Sequence, residues 1–230
     1  MAGLVDSLAD ALGGEFASYA DPVRAAGARA YMRDQFPFYG IPAPQQKSIA
    51  RTVTRGLDPP TESELVGVAE LCWHRDEREW QYFACWYLRR HVRGRPSSLL
   101  APVGSLITTK SWWDTVDSLA AHTVGTLVAE HAELASAMDD WIGSENLWLA
   151  RTALIHQLAY KTSTDADRLF RYCLLRASDR DFFIRKAIGW ALREYSKTDA
   201  RAVRQFVVDH ADALAPLSRR EALKWLSRRP

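Results

Sequence analysis

WLARTALIHQLAY, residues 148–160, decides the fold, because segments of the same design stand 35 residues before and after it. WDTVDSLAAHTVG begins at 113, FIRKAIGWALREY at 183 and, one step further back, REWQYFACWYLRR at 78. Arg78, Trp113, Trp148 and Phe183 therefore fall in register, each near the start of a segment that reads as helix. A helical unit of this size cannot bury its apolar face alone, so neighbours stack and equivalent positions line up along one surface. The spacing predicts an all-α solenoid. No strand pattern competes: alternating β-branched runs joined by Asn-Gly or Asp-Gly turns are absent. Turns between helix pairs curve such an array and give it a concave inner face. A DNA duplex, a partner helix and an extended peptide would all suit that concavity.

Within each unit, positions +0, +3, +4 and +7 share a stripe about 100° wide. Trp113 at +0, Asp117 at +4, Arg151 at +3 and Trp190 at +7 occupy it in three successive units. Two indoles, a carboxylate and a guanidinium would converge. Each has a plainer reading beside this one. Trp113 shares its register position with Trp148 and Phe183, as a repeating core aromatic would, and Trp112 beside it points about 100° away, so at most one of the pair faces a cleft squarely. Asp117 lies inside a helix and cannot be its N-cap; buried, it needs a partner, and a salt bridge to Arg151 is the structural alternative. Arg151 interrupts the apolar run NLWLARTALIHQL and can fork onto a phosphate or a carboxylate. Trp190 follows Gly189, whose missing side chain admits another backbone or a ligand. Asp114, near the helix start, suits the helix dipole.

The 230-residue chain is long enough to bury one sizeable core, and a single domain over 1–230 is expected. Its 47% hydrophobic and 25% charged residues are those of a folded soluble protein and argue against disorder. No apolar run approaches the roughly 20 residues of a membrane span, and MAGLVDSLAD lacks a basic region followed by an apolar stretch. A cytoplasmic protein without membrane contact is expected. Cys72, Cys85 and Cys173 form no C-x-x-C pair and read as buried, reduced thiols. Six histidines show no H-x-x-x-H or H-E-x-x-H pairing, so no metal is expected, and neither a Gly-rich phosphate loop nor a G-x-S-x-G elbow is present.

Net charge is only +2, but residues 171–230 carry 14 Lys plus Arg against 7 Asp plus Glu, which leaves −5 for the first 170. That asymmetry can place a positive potential on one surface, where it would attract phosphates, or it can be a solvated basic face. Prolines punctuate the chain from Pro22 to Pro102 and then vanish until Pro216. Thr61 is placed to cap the helix ESELVGVAELCW, and Thr109-Lys110-Ser111 to start the helix WWDTVDSL. FPFYGIPAPQQK, residues 36–47, is the most loop-like segment, with Gly40 and three prolines.

KSWWDTVDS, LWLARTALIHQLAYK, FFIRKAIGWALREYSKT and LSRREALKWL, with AYMRDQFPFYGI and REWQYFACWYL before them, resemble the bacterial DNA alkylation repair (AlkD-like) glycosylases in order and spacing over nearly the whole chain. The resemblance implies a right-handed, C-shaped solenoid of HEAT-like helical pairs whose concave face embraces duplex DNA. It implies excision of purines alkylated at N3 or N7, such as 3-methyladenine and 7-methylguanine, by a monomer that needs no metal or other cofactor and does not flip the base. Trp113 and Asp117 match the family's catalytic-cleft pair, and Arg151 and Trp190 complete the same cleft. Arg193, Tyr31 and Lys161 match DNA-contacting positions, alongside Arg151 on a flanking phosphate. The PAPQQK segment departs from the more basic forms of its loop. A solenoid that binds damaged or branched DNA without cleaving it, and a protein-binding scaffold, are the other classes this pattern can serve.

Overall fold

The computed structural model describes residues 3–228 and is all-helical: no strand occurs among the described residues. The chain divides into two compact units, residues 1–95 and 96–230. The first holds α1 (Leu4–Ser18), α2 (Pro22–Tyr31), α3 (Ala43–Val53), α4 (Glu62–His74) and α5 (Arg78–His91). α1 packs on α3 and α4, and α4 on α5. Thr61 caps α4 as expected: its hydroxyl accepts from Glu64 N at 3.2 Å, and the Glu64 carboxylate accepts from Thr61 N at 2.8 Å. This capping box satisfies two backbone donors reciprocally.

The loop expected over residues 36–47 is shorter than its prolines suggest. From Ala43 the chain is helical, with Pro44 in the first turn of α3, where a missing N–H costs nothing and the fixed φ suits the helix. The part that remains irregular is pinned by the buried carboxylate of Glu79. It accepts from the backbone N–H groups of Tyr39 at 3.1 Å, Gly40 at 2.8 Å and Ile41 at 3.1 Å. Gly40 has φ +87°, and a Cβ there would lie 2.3 Å from Asp21 O. Only glycine tolerates both conditions. Arg78, fully buried, lies 3.8 Å from the centre of the Phe36 ring.

The second unit holds α6 (Leu100–Thr108), α7 (Trp113–Ser118), a π-helical turn at Leu119–Val124, α8 (Gly125–Glu130), α9 (Ala135–Gly143), α10 (Leu147–Ile155), α11 (Ala166–Leu175), α12 (Phe182–Tyr195), α13 (Ala200–Asp209) and α14 (Pro216–Leu223). The register holds throughout. Arg78 opens α5, Trp113 opens α7, and Trp148 and Phe183 are the second residues of α10 and α12. Asn146 and Asp181 cap those last two helices, accepting from Trp148 N at 3.0 Å and from Phe183 N at 2.6 Å. α9 packs on α10, α10 on α12 and α12 on α14. Ile184, Ala187, Ile188 and Leu192 are fully buried along one face of α12. Each large aliphatic residue so buried contributes about 1.5–3 kcal/mol.

The start of α7 differs from expectation. Thr109-Lys110-Ser111 does not cap it; the cap position is Trp112, and Ser111 Oγ donates back to Ile107 O at 2.6 Å. Cys72, Cys85 and Cys173 are buried thiols, and burial pushes Cys72 and Cys173 well above the ordinary thiol range. Such thiols are poor nucleophiles.

Candidate active site

An open cleft of about 360 Å³ lies within the second unit. Trp113, Asp117, Arg151 and Trp190 all line it, so the four residues of the stripe meet in one place. Trp113 and Asp117 come from α7, Arg151 from α10 and Trp190 from α12. The two adjacent tryptophans have parted. Trp112, with ring centres 5.9 Å from Trp148 and 5.2 Å from Phe183, builds the aromatic cluster in which the repeat register places Trp113. Trp148 and Phe183 complete it at 5.1 Å. Trp113 is thereby released to the cleft. Gly189 does what its missing side chain suggested, but for a backbone: a Cβ there would lie 2.8 Å from Ser218 O, so α14 sits directly against α12.

Asp117 and Arg151 are paired. Arg151 Nε donates to Asp117 Oδ1 at 2.7 Å and Nη2 to Oδ2 at 2.8 Å, a bidentate fork, while Nη1 donates to Phe183 O at 2.5 Å. Arg151 is 4% exposed, which makes the contact more than a surface ion pair. The salt bridge considered from sequence as the plain alternative is thus present inside the cleft. All three guanidinium nitrogens of Arg151 have partners in this structure, two of them on Asp117 and one on Phe183 O. Burial is the largest influence on Asp117 and raises its pKa; the Arg151 fork pulls it down, Asp114 adds a rise, and the balance lies above the ordinary aspartate value. Removing either partner of such a pair strands a buried charge, at a cost of about 3–5 kcal/mol.

Arg193 lines the same cleft, and its Nη1 donates to Glu221 Oε2 at 3.0 Å. Lys161 does not join it. It sits exposed in a 3₁₀ turn, Lys161–Ser163, with φ +55°, and lines a different cleft of about 410 Å³ with Leu154, Leu169 and Tyr195. Tyr31 ends α2 in the first unit, is 72% exposed, and borders a cleft of about 280 Å³ with Arg24, Phe38 and Tyr82. Three cleft residues escaped the reading of the stripe: Phe182, Lys186 and Glu221. The repeat carried a signal for two of them. Lys186 and Glu221 follow Arg151 at further steps of 35, in the same +3 position. Among the described residues, no group of three or more His, Cys, Asp or Glu side chains could hold a metal ion.

The family model of the DNA alkylation repair enzymes matches residues 12–226. The chain belongs to that family. A solved structure described as a predicted DNA alkylation repair enzyme from Enterococcus faecalis is similar to it, with 32% identity and a TM-score of 0.83 over 91% of this chain and 97% of the other. No curated protein matches the chain. Membership of the DNA alkylation repair family gives the protein a role in handling alkylation damage, with DNA as partner, and its all-helical array is compatible with the helical solenoid of that family. No described helix is long and apolar enough to cross a membrane.

Proposed function

We propose that the protein is a DNA N-glycosylase that hydrolyses the glycosidic bond of purines alkylated at N3 or N7 in duplex DNA, the first step of base excision repair. One observation carries this reading: the Asp117 carboxylate, held on Arg151, opens onto a cleft that Trp113 and Trp190 also line. Alkylation at N3 or N7 makes the purine cationic and a good leaving group, so no strong general acid is needed. Positive charge then develops on the deoxyribose. A fixed carboxylate stabilises that oxocarbenium-like centre and orients the attacking water. Trp113 and Trp190 add about 0.5–2 kcal/mol each by cation–π attraction once water is excluded. Arg151 keeps the carboxylate aimed, and Arg193 reaches a backbone phosphate, with Tyr31 and Lys161 as outlying DNA contacts.

The cleft is open rather than an enclosing pocket, which suits a reaction on a base that stays near its stack. Most glycosylases extrude the base instead. The protein acts as a cytoplasmic monomer, without metal or cofactor. A second reading, lesion binding without cleavage, draws on the occupation of both Asp117 oxygens by Arg151. Incubation with a methylated duplex and chromatography of the released bases separates the two. Free 7-methylguanine or 3-methyladenine is expected under single-turnover conditions; its absence at saturating protein would leave the binding reading in its place.

A further inference from the structure

Glu221 is the second carboxylate on the cleft wall, and its surroundings are unlike those of Asp117. Its Oε1 lies 3.1 Å from Lys186 Nζ, and its Oε2 accepts from Arg193 Nη1 at 3.0 Å. Lys186, Trp190 and Arg193 stand at i, i+4 and i+7 on α12, so one face of the helix presents a cation, an indole and a second cation. Their charged heads, from residues two turns apart, are drawn to the two oxygens of a single carboxylate. The carboxylate itself is anchored. A Cβ at Gly189 would lie 2.5 Å from Glu221 Cβ, and Ser218 Oγ donates to Arg185 O at 2.9 Å, so α14 is seated on α12 beside the pair. Burial works to raise the Glu221 carboxyl, but Lys186, with Lys224 and Arg193, outweighs it and holds the group below the ordinary glutamate range.

An ionised carboxylate set between two cations opposes the approach of a polyanion, because a phosphate must compete with it for both. We propose that Glu221 is a built-in competitor for DNA: in the free protein it occupies Lys186 and Arg193, and on binding a backbone phosphodiester takes its place on them. This inference rests on the reading of the cleft as a DNA site. No covalent bond changes; one pair of ionic contacts is exchanged for another. The consequence is discrimination, since duplex in passing contact meets a neutralised wall. Duplex held close by the rest of the cleft gains two further cations.

The test is equilibrium binding of undamaged and methylated duplex over a range of salt, for the wild type, Glu221→Gln, Glu221→Asp, and Glu221→Gln in a Lys186→Gln/Arg193→Gln background. Glu221→Gln should tighten binding of undamaged duplex by about tenfold and steepen the salt slope by about one, as one more phosphate contact would. Glu221→Asp retains the charge but is one methylene too short to span both cations, and should tighten binding by about threefold in the same direction. In the doubly substituted background, Glu221→Gln should change nothing. Unchanged affinity and slope in both single variants would overturn the inference, as would equal tightening in the background lacking both cations, which would reduce the effect to net charge. Should Glu221→Gln fail to fold, Lys186→Gln decides: less than about a threefold loss for undamaged duplex is expected of a cation already neutralised, and about tenfold would overturn the proposal. A wild type that binds no duplex removes the DNA reading and this inference together; a wild type that binds, with variants that match it, removes this inference alone.

Discussion

Each unit of the molecule withdraws a carboxylate from water, and the two are treated in opposite ways. Glu79 in the first unit is 2% exposed, and its two oxygens are satisfied by three backbone N–H groups of the 39–41 turn. Those donors are fixed parts of the fold and cannot leave. Asp117 in the second unit keeps 15% of its side-chain surface, borders an open cleft, and is held by a side chain, Arg151. A carboxylate whose oxygens are taken by main-chain donors serves to stabilise a loop. One held by a side chain at the edge of solvent remains available to a reacting centre. Burial alone therefore does not mark a functional acid; the identity of its partners and what lies on its open side do.

Five outcomes test that contrast. Asp117→Asn carries the largest effect: release of 7-methylguanine from methylated duplex should fall by about 10²–10³-fold, the magnitude of losing one fixed electrostatic stabiliser, with duplex affinity largely kept. The pH dependence follows the same group. The proposed mechanism uses the ionised form, so activity should fall as pH drops through the Asp117 pKa, and that limb should lie above the ordinary aspartate value of 3.8. Because the folded-state pKa is raised, protonation favours the folded state, so this group adds stability as pH falls and does not cause acid unfolding. Glu79→Gln comes next, with a stability loss of about 2–4 kcal/mol in denaturant titrations, because three N–H groups lose their anionic acceptor. Base release by the folded fraction should be unchanged. His156, 1% exposed, has its pKa lowered to about 4, chiefly by burial. The unfolded chain therefore binds the extra proton first, and stability should decline as pH falls from 6.5 towards 4, by about 3 kcal/mol in total. A His156→Gln variant that keeps the full decline would contradict this. Trp190→Leu is the mildest: single-turnover release should slow by about 2–30-fold, equivalent to about 0.5–2 kcal/mol.

The helical repeat was legible in the sequence because four positions 35 apart share a place at the start of their helices, and the structure keeps each of them there. The stripe was legible for the same reason. Side-chain choice between neighbours was not. Periodicity alone leaves Trp112 and Trp113 nearly equivalent, and what separates them is the packing of Trp112 against Trp148 and Phe183, a contact between different repeats. The partner of Arg151 was named in the sequence but not decided by it, since a guanidinium pattern suits a phosphate and a carboxylate alike. Lys186 and Glu221 were recoverable from the +3 column. They pass unnoticed when charge is counted along the chain instead of across the repeats. The helical start at Ala43 was obscured by prolines that break a helix in its interior but are accommodated in its first turn.

The most direct test measures two quantities on the same preparations of Asp117→Asn and Glu79→Gln: the midpoint of unfolding, and the single-turnover rate of 7-methylguanine release from methylated duplex. Both variants should lose stability, Asp117→Asn by about 3–5 kcal/mol as buried Arg151 loses its anion, but release should separate them: the folded fraction of Asp117→Asn falls by about 10²–10³-fold, and that of Glu79→Gln releases base at the wild-type rate. Normal release by the folded fraction of Asp117→Asn, or an equal loss of release by the folded fraction of Glu79→Gln, would contradict this.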